Sequence, residues 1–364
     1  MRWFTIIGVC IVVVAGLGAA CGPAHIHDNG RPVPIAGDTE PRATELFLVL
    51  ELDGEYYIQI DTPAMEGLVD PVADVTTVEM AYESEAWAFL GTLSAPAAYR
   101  VHKALAGLGP IQVMDGGRPA EEVFFGAPVL VGRVVPHFGE VAEMEEKGIF
   151  IDDEDQGPLR RTFLAGTAPV IMIPIQGEMY DSMTTWARTR SDHQPKVAIF
   201  DEGPLGPRDD EAADVAAAMP AWTAAATRVD QAYRGKDLGD PPYLDEATWT
   251  ACYLNEEEEP VGDPWLYYFL HYGETFCGEG PDEARLASLW APKSPLDKPL
   301  VFVTEDGASL VIEPYLIGDL DGDGAPELVG LVDELTGEIQ ILRIKDGALE
   351  TLKSAKPIYR DCPC

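Results

Sequence analysis

The chain has 364 residues, of which 46% are hydrophobic and 9% aromatic, so it can build a core and is not disordered throughout. Its 62 acidic and 25 basic residues give a formal net charge of -37, which repels nucleic acid and attracts divalent cations and basic partners, although it also serves solubility alone. The 30 prolines and 35 glycines favour short elements joined by turns, which leans toward a β-rich or α+β fold.

The N-terminus predicts an export signal. Residues 1–20 begin with the positive Arg2, continue as an apolar run from Trp3 to Leu17, and end in small residues directly before Cys21. This is the order of a cleaved signal peptide. No later run approaches the roughly 18 apolar residues that a membrane-spanning helix needs.

The residues Gly18-Ala19-Ala20-Cys21 resemble the lipobox of bacterial lipoproteins, in which the cysteine becomes the lipidated first residue of the mature chain. The chain departs from the family at Gly18, where leucine is preferred. The resemblance implies a lipid on Cys21 that anchors the protein to a membrane. Gly22, where aspartate would resemble an inner-membrane retention signal, favours the outer membrane, facing the periplasm or the cell surface. An ordinary small-x-small cleavage site also fits these residues and would give a secreted protein without lipid.

Residues 21–43 are rich in Pro, Gly and Asp and lack hydrophobic periodicity, so they predict a flexible tether. Residues 44–201 predict a β-rich α+β domain. Its first two strands, 46–50 and 56–60, flank Asp53-Gly54, a dipeptide that favours a tight hairpin turn. The further predicted elements are strands at 75–81, 86–93, 123–135, 167–175 and 197–200 and a helix at 95–106.

Residues 209–298 predict a helical and aromatic-rich segment. The turn-rich residues 201–208 precede it and mark a domain boundary. Residues 209–234 have helical composition, and Pro220 should kink or split that helix. The aromatic residues between 243 and 278 are dense enough to line a glycan or peptide groove, although they are equally typical of the core of a small subdomain.

Residues 299–364 predict a C-terminal β-region in which apolar and polar residues alternate. Its five short strands lie at 300–303, 310–312, 328–332, 339–344 and 349–352, with turns at Asp306-Gly307, Thr336-Gly337 and Asp346-Gly347. The pattern indicates a β-meander or a β-cap on a larger sheet. The predicted fold class is therefore α+β and β-rich, with a mixed N-terminal body and a C-terminal antiparallel β-meander.

One motif in this region carries a chemical mechanism. Residues 318–328 read GDLDGDGAPEL, and carboxylates at alternate positions can converge on one cation where glycines let the chain curl. Calcium is a hard cation that takes about six to eight oxygen ligands. The expected ligands are the carboxylates of Asp319, Asp321, Asp323 and Glu327 and the carbonyl oxygen of Ala325. The alternative is an acidic hairpin turn exposed to solvent.

The motif matches the first half of an EF-hand loop, but Gly330 stands where that loop needs a bidentate glutamate. It instead resembles the calcium loop of FG-GAP and VCBS-type repeats, D-x-D-x-D-G-x-x-[DE]-L between two strands. The resemblance covers about 35 residues, 308–342, and occurs once, whereas a propeller needs several blades. It implies one calcium site in an extracellular β-fold. The rest of the chain resembles no family that we can name.

Four cysteines remain after Cys10 leaves with the signal peptide and Cys21 takes the lipid: Cys252, Cys277, Cys362 and Cys364. In an exported chain they predict two disulfides, with three possible connectivities. We favour crossed pairing of the C-terminal tail with the aromatic segment, because a Cys362–Cys364 ring is very short and stores strain.

These features predict an envelope-anchored lipoprotein with a structural calcium site and a non-enzymatic structural or partner-binding role. The chain lacks the common hydrolase, metalloprotease and nucleotide-binding motifs, such as G-x-S-x-G and H-E-x-x-H. A protein or glycan partner is expected, and nucleic acid is not. The alternative is a secreted hydrolase acting on glycans or peptides, with catalytic residues dispersed in the sequence.

Overall fold

Two antiparallel sheets follow one another along the chain and are joined at residues 190–196. The computed structural model describes residues 44–52, 54–82, 87–120, 122–134, 169–177, 183–202, 220–236, 242–254, 260–273, 284–290, 300–305, 310–333, 338–345 and 348–355. The antiparallel, β-rich part of the predicted fold class is confirmed. In the described part of the chain, no helix is both long enough and apolar enough to cross a membrane.

The first sheet has ten strands, in the order β3-β4-β8-β9-β2-β1-β10-β5-β6, with β7 pairing β9. They are β1 (Leu46–Leu52), β2 (Glu55–Ile60), β3 (Val75–Tyr82), β4 (Trp87–Leu93), β5 (Ile111–Asp115), β6 (Arg118–Pro119), β7 (Phe124–Phe125), β8 (Val129–Val134), β9 (Val170–Gln176) and β10 (Thr185–Thr189). Leu52 pairs with Glu55, which confirms the predicted hairpin around Gly54. A 3-10 turn spans Pro63–Met65, and helix α1 spans Ala95–Leu108.

The second sheet has nine strands, in the order β15-β14-β13-β12-β11-β16-β17-β18-β19. They are β11 (Val197–Glu202), β12 (Tyr243–Leu254), β13 (Pro260–Gly273), β14 (Ala284–Trp290), β15 (Leu300–Glu305), β16 (Glu313–Gly318), β17 (Glu327–Asp333), β18 (Glu338–Lys345) and β19 (Ala348–Ala355). The last four form a meander. Helix α2 spans Pro220–Lys236. The residues directly before Pro220 lie outside the described residues, so the predicted kink or split at this proline stays a prediction.

Part of the predicted order of the C-terminal strands is wrong. Residues 310–312 are not a strand, and β16 begins after them, at Glu313. Pro314 within β16 disguises that strand in the sequence, because proline cannot donate to a ladder, and the register shifts there. β15 pairs with β14 at the opposite edge of the sheet, so it does not neighbour the meander.

Strand β1 shows how the layers stack, because its side chains alternate between two cores. Phe47 and Val49 pack in a core with residues of α1, such as Val101. Leu48 and Leu50 face the other way, into a core shared with the second sheet. That shared core, which we call the inter-sheet core, also contains these buried residues: Leu46, Leu52, Met114, Trp186, Leu316, Leu320, Val329 and Ile341.

The aromatic segment supplies core rather than a groove wherever its side chains are described. Trp249, Trp265, Tyr267 and Phe269 pack in a core within the second sheet. Tyr268 and Leu270 face the opposite side of β13 and pack against α2. The predictions for residues 1–43, which include the signal peptide, Cys21 and the tether, lie outside the described residues.

Candidate metal centre

Residues 319–326 form a loop between β16 and β17, and the pair Gly318–Glu327 closes it. The two loop glycines take positive φ angles, 86° at Gly322 and 89° at Gly324, as the curl around a cation requires. Gly322 has a second constraint, because a Cβ there would lie 2.9 Å from the Cγ atom of His193. The predicted curl of this segment is therefore present.

Three carboxylates of the loop and its closing strand converge. Asp319, Asp321 and Glu327 each offer one oxygen, and these three oxygens lie within 4.8 Å of one another. Glu327 is fully buried, and the two aspartates are half-buried. These three residues can therefore hold a metal ion between them.

Backbone amides of the loop orient these carboxylates. Asp319 accepts hydrogen bonds from the amides of Gly322 (2.8 Å) and Gly324 (3.2 Å). The amide of Leu320 donates to Oε2 of Glu327 at 2.8 Å. This bond holds the backbone next to Asp319, the first acid of the motif, against Glu327, the last. A carboxylate offers about four lone-pair positions, which leaves each group with capacity for a cation.

Arg343 is a residue of this site that the sequence did not reveal. It lies on β18 directly opposite Glu327, and its Nε donates to Oε1 of Glu327 at 3.0 Å. Its guanidinium also contacts the carboxylate of Asp321, and its Nη1 lies 3.3 Å from Oδ2 of Asp323. One guanidinium thus neutralises part of the charge of three carboxylates.

The pairing of Arg343 with Glu327 depends on the register of the β17–β18 hairpin. The ladder pairs Leu331 with Ile339 and has an irregularity between Leu331 and Asp333. The predicted turn residues, Thr336 and Gly337, lie outside the described residues. The alternation of 328–332 and 339–344 predicts the hairpin but not this register.

Burial dominates the electrostatics of the site. It raises the pKa of Glu327 to about 7, although the Leu320 amide and Arg343 oppose the rise. Burial also raises the pKa of Asp321 above its usual value. For Arg343, burial lowers the pKa, but Glu327, Asp321 and Asp323 outweigh it and raise the pKa above its usual value. Arg343 and the backbone amides therefore offset only part of the cost of burying the negative charges of Asp321 and Glu327.

Two further residues approach the loop from the side of the first sheet. His193 lies in the connection between the sheets, and its Nε2 is 3.0 Å from the carbonyl oxygen of Asp319 and 3.8 Å from Oδ2 of Asp319. Arg188, on β10, donates through Nη1 to the carbonyl oxygen of Leu320 at 3.1 Å. Both are distant from the loop in sequence.

The other predicted site residues have different positions. Asp323 is not in the group of three converging carboxylates; it is half-exposed and accepts a hydrogen bond from the Ala325 amide at 2.8 Å. Cys252 lies on β12 as a half-buried free thiol. The other disulfide candidates, Cys277, Cys362 and Cys364, lie outside the described residues, so their pairing stays a prediction.

Comparison with protein-family models, with curated proteins and with solved structures finds no match for this chain.

Proposed function

We propose that residues 319–327 bind one calcium ion that stabilises an exported, envelope-anchored protein. The observation that carries this proposal is the convergence of three carboxylate oxygens, from Asp319, Asp321 and Glu327, within 4.8 Å. Calcium–oxygen distances are about 2.3–2.6 Å, so two ligands on opposite sides of one ion lie up to about 5 Å apart. The spacing of the three oxygens is compatible with a single ion.

Calcium fits this set of ligands better than a transition metal. The converging group contains only carboxylates, whereas zinc and copper favour imidazole and thiolate ligands. Calcium also tolerates irregular geometry, while magnesium demands a near-ideal octahedron and keeps several waters. In the proposal, Asp323 and the carbonyl oxygen of Ala325 are further ligands, which leaves a place for water in a shell of about six to eight oxygens.

Arg343 competes with calcium for the same oxygens. Its guanidinium contacts Asp321 and Glu327, two members of the converging group, and so acts as an internal cation. Calcium carries two charges and replaces hydration water with several carboxylates at once, which a single guanidinium cannot match. Binding of calcium therefore withdraws Arg343 from Asp321.

The ion has a structural role in this proposal. A catalytic metal keeps an open coordination position for its substrate. A calcium shell built almost entirely from protein oxygens offers no such position. The protein is attached to the envelope by lipid on Cys21 and presents an acidic surface, with a net charge of -37, to a basic protein or to a glycan partner. A secreted hydrolase stays the alternative prediction, and the calcium site has the same structural role in either case.

Thermal unfolding in calcium and in chelator tests the calcium site. Extracellular calcium modules bind at about 0.1–1 mM, so the protein is compared at about 10 mM calcium, at equal magnesium and in chelator. At about a hundred times its Kd, calcium should add about 2.7 kcal/mol to the free energy of unfolding. Asp321→Ala should lose this response, and the control Asp61→Ala, which removes an acid outside the loop, should keep it. An unmoved wild-type midpoint contradicts the proposal.

The lipid anchor has a separate test. Protein purified from the producing bacterium should carry lipid on Cys21 by mass spectrometry and should sediment with membranes. The Cys21→Ser variant should leave the membrane fraction. If the N-terminus of the wild-type protein carries no lipid, the anchor on Cys21 is contradicted, and the protein would be exported without it.

A further inference from the structure

The loop has an inner side that the calcium proposal does not use. Leu320 stands between Asp319 and Asp321, and its side chain is fully buried in the inter-sheet core. In that core it belongs to the same cluster as Leu48 and Trp186 of the first sheet. A segment that places acids on one side and a core leucine on the other connects the candidate ion site to the packing between the sheets.

Arg188 makes the strongest polar link between the first sheet and the loop. It is only 2% exposed, and its guanidinium donates to the backbone carbonyls of Leu320 (3.1 Å) and His193 (2.6 Å). Burial lowers the pKa of Arg188. Holding a charge in this place is costly unless both carbonyls stay in position. The Nη1 atom of Arg188 therefore keeps the Leu320 acceptor only while the loop is docked against the first sheet, and the Nε atom has no hydrogen-bond partner among the described residues.

His193 adds a third contact at the same point. Its Nε2 lies 3.0 Å from the carbonyl oxygen of Asp319, and its ring packs so closely against Gly322 that no Cβ fits there. Since His193 belongs to the connection between the two sheets, the loop touches the first sheet and this connection together. We call the contacts among Arg188, His193, Asp319 and Leu320 the clasp.

We infer that the clasp couples the ion site to the docking of the two sheets, so that calcium tightens the inter-sheet core. This inference rests on the proposed calcium site. An ion that fixes Asp319 and Asp321 also fixes Leu320 between them, together with the carbonyl oxygens that Arg188 and His193 contact. When the loop is ordered, the carbonyl oxygen of Leu320 that accepts a hydrogen bond from Arg188 holds its position. Arg188 lies on β10, so this contact in turn restricts the motion of β10.

Hydrogen exchange with and without calcium tests the inference, while calorimetric titration of the same protein measures calcium binding. Couplings between sites usually change affinities by about fivefold or more. We therefore expect calcium to slow exchange about fivefold in β1 and β10, which face the second sheet. Strand β3, at the far edge of the first sheet, should change less and serves as the internal reference.

The matched variants are Arg188→Met and Lys353→Met. Arg188→Met removes the charge and keeps an apolar chain of similar length, although it leaves the carbonyl oxygens of Leu320 and His193 without this donor. It should still bind calcium, but β1 and β10 should no longer respond. Lys353→Met removes a charge at another contact between the sheets and should leave the response intact. If Arg188→Met does not fold, His193→Ala replaces it as the milder change, with a reduced response expected.

The outcomes separate the inference from the calcium site. If calcium binds and slows exchange only in residues 318–327, or equally in all strands, the coupling is overturned and the calcium site stands. If β1 and β10 respond equally in the wild type and in the folded clasp variant, the clasp is overturned as the route. If calorimetry detects no binding, the calcium site fails and the inference fails with it.

Discussion

The contact between the two sheets has two polar ends that differ in charge. At one end, Lys353 of β19 lies 3.0 Å from Asp61 and 3.7 Å from Glu45, and Gln59 donates to the carbonyl oxygen of Ser354. We call this the β19 end. The other, the loop end, comprises residues 319–327 with Arg343, Arg188 and His193. Both ends join the same sheets and hold more acids than bases, but the excess is larger and more deeply buried at the loop end.

The two ends differ in how far their negative charges are compensated, and this difference shows where a second cation is needed. At the β19 end, one lysine serves two carboxylates that are about a quarter to a third exposed, so water screens the remaining charge. At the loop end, one arginine contacts three carboxylates, of which Glu327 is fully buried. Water cannot compensate a buried carboxylate. The loop end is therefore the place where we expect a bound cation to stabilise the fold.

The largest expected effect comes from Glu327→Gln. In calcium the change should lower the free energy of unfolding by about 2.7 kcal/mol, because it removes the response to calcium. In chelator the loss should be smaller, because burial, which raises the pKa of Glu327 to about 7, opposes the charge that glutamine removes. Asp61→Asn, the equivalent change at the β19 end, should cost less than about 1 kcal/mol. Urea denaturation in calcium and in chelator measures both. Equal losses of unfolding free energy in the two variants would contradict the difference between the two ends.

Arg343→Met should have the next largest effect, and the size of the loss depends on the metal. In chelator, loss of the internal cation leaves buried carboxylate oxygens unpaired and should cost about 1–3 kcal/mol. In calcium the loss should be smaller, because the ion takes over the same oxygens, and calcium should bind more tightly than to the wild type. Calorimetric titration gives the affinities. Weaker binding in the variant would show that Arg343 supports the metal site rather than competing with it.

The pH dependence should show a smaller effect. The pKa of Glu327 is about 7 in the folded protein because of burial, against about 4.3 for an unfolded glutamate. Between these values the folded state binds more protons than the unfolded state, so its stability falls as pH rises from about 5 to 7.5. The fall should appear in chelator as the difference between wild type and Glu327→Gln. Calcium, which favours the ionised carboxylate, should abolish it.

Lys353→Met should have the smallest effect. The ion pairs at the β19 end are partly exposed, so the loss should be below about 1 kcal/mol and should shrink further in salt. The response to calcium should be unchanged. Urea midpoints at low and high ionic strength measure the loss. A loss of the calcium response in this variant would mean that the two ends are not independent.

The sequence predicts the parts of this site that are local. Asp319, Asp321 and Glu327 lie within nine residues of one another, and the glycines between them limit the conformation of the chain. The hairpins β1–β2 and β17–β18 are also local, because their strands pair across short connections. In these segments, alternation and turn residues determine the structure.

The parts that were missed depend on contacts between distant residues. Arg188 reaches Leu320 across 132 positions, and no local pattern links them. The neighbours of β11 in the second sheet are β12 and β16, which are far apart in the chain. Arg343 was missed for a different reason: its position opposite Glu327 follows from a register irregularity in the ladder. Such positions are determined by tertiary packing, which a single sequence does not display.

A crystal structure of the protein grown in millimolar calcium tests the calcium site itself. We expect one ion at about 2.3–2.6 Å from carboxylate oxygens of Asp319, Asp321 and Glu327, with the guanidinium of Arg343 withdrawn from Asp321. A structure in which Arg343 still contacts Asp321 and Glu327, with no ion among the three carboxylates, would contradict it.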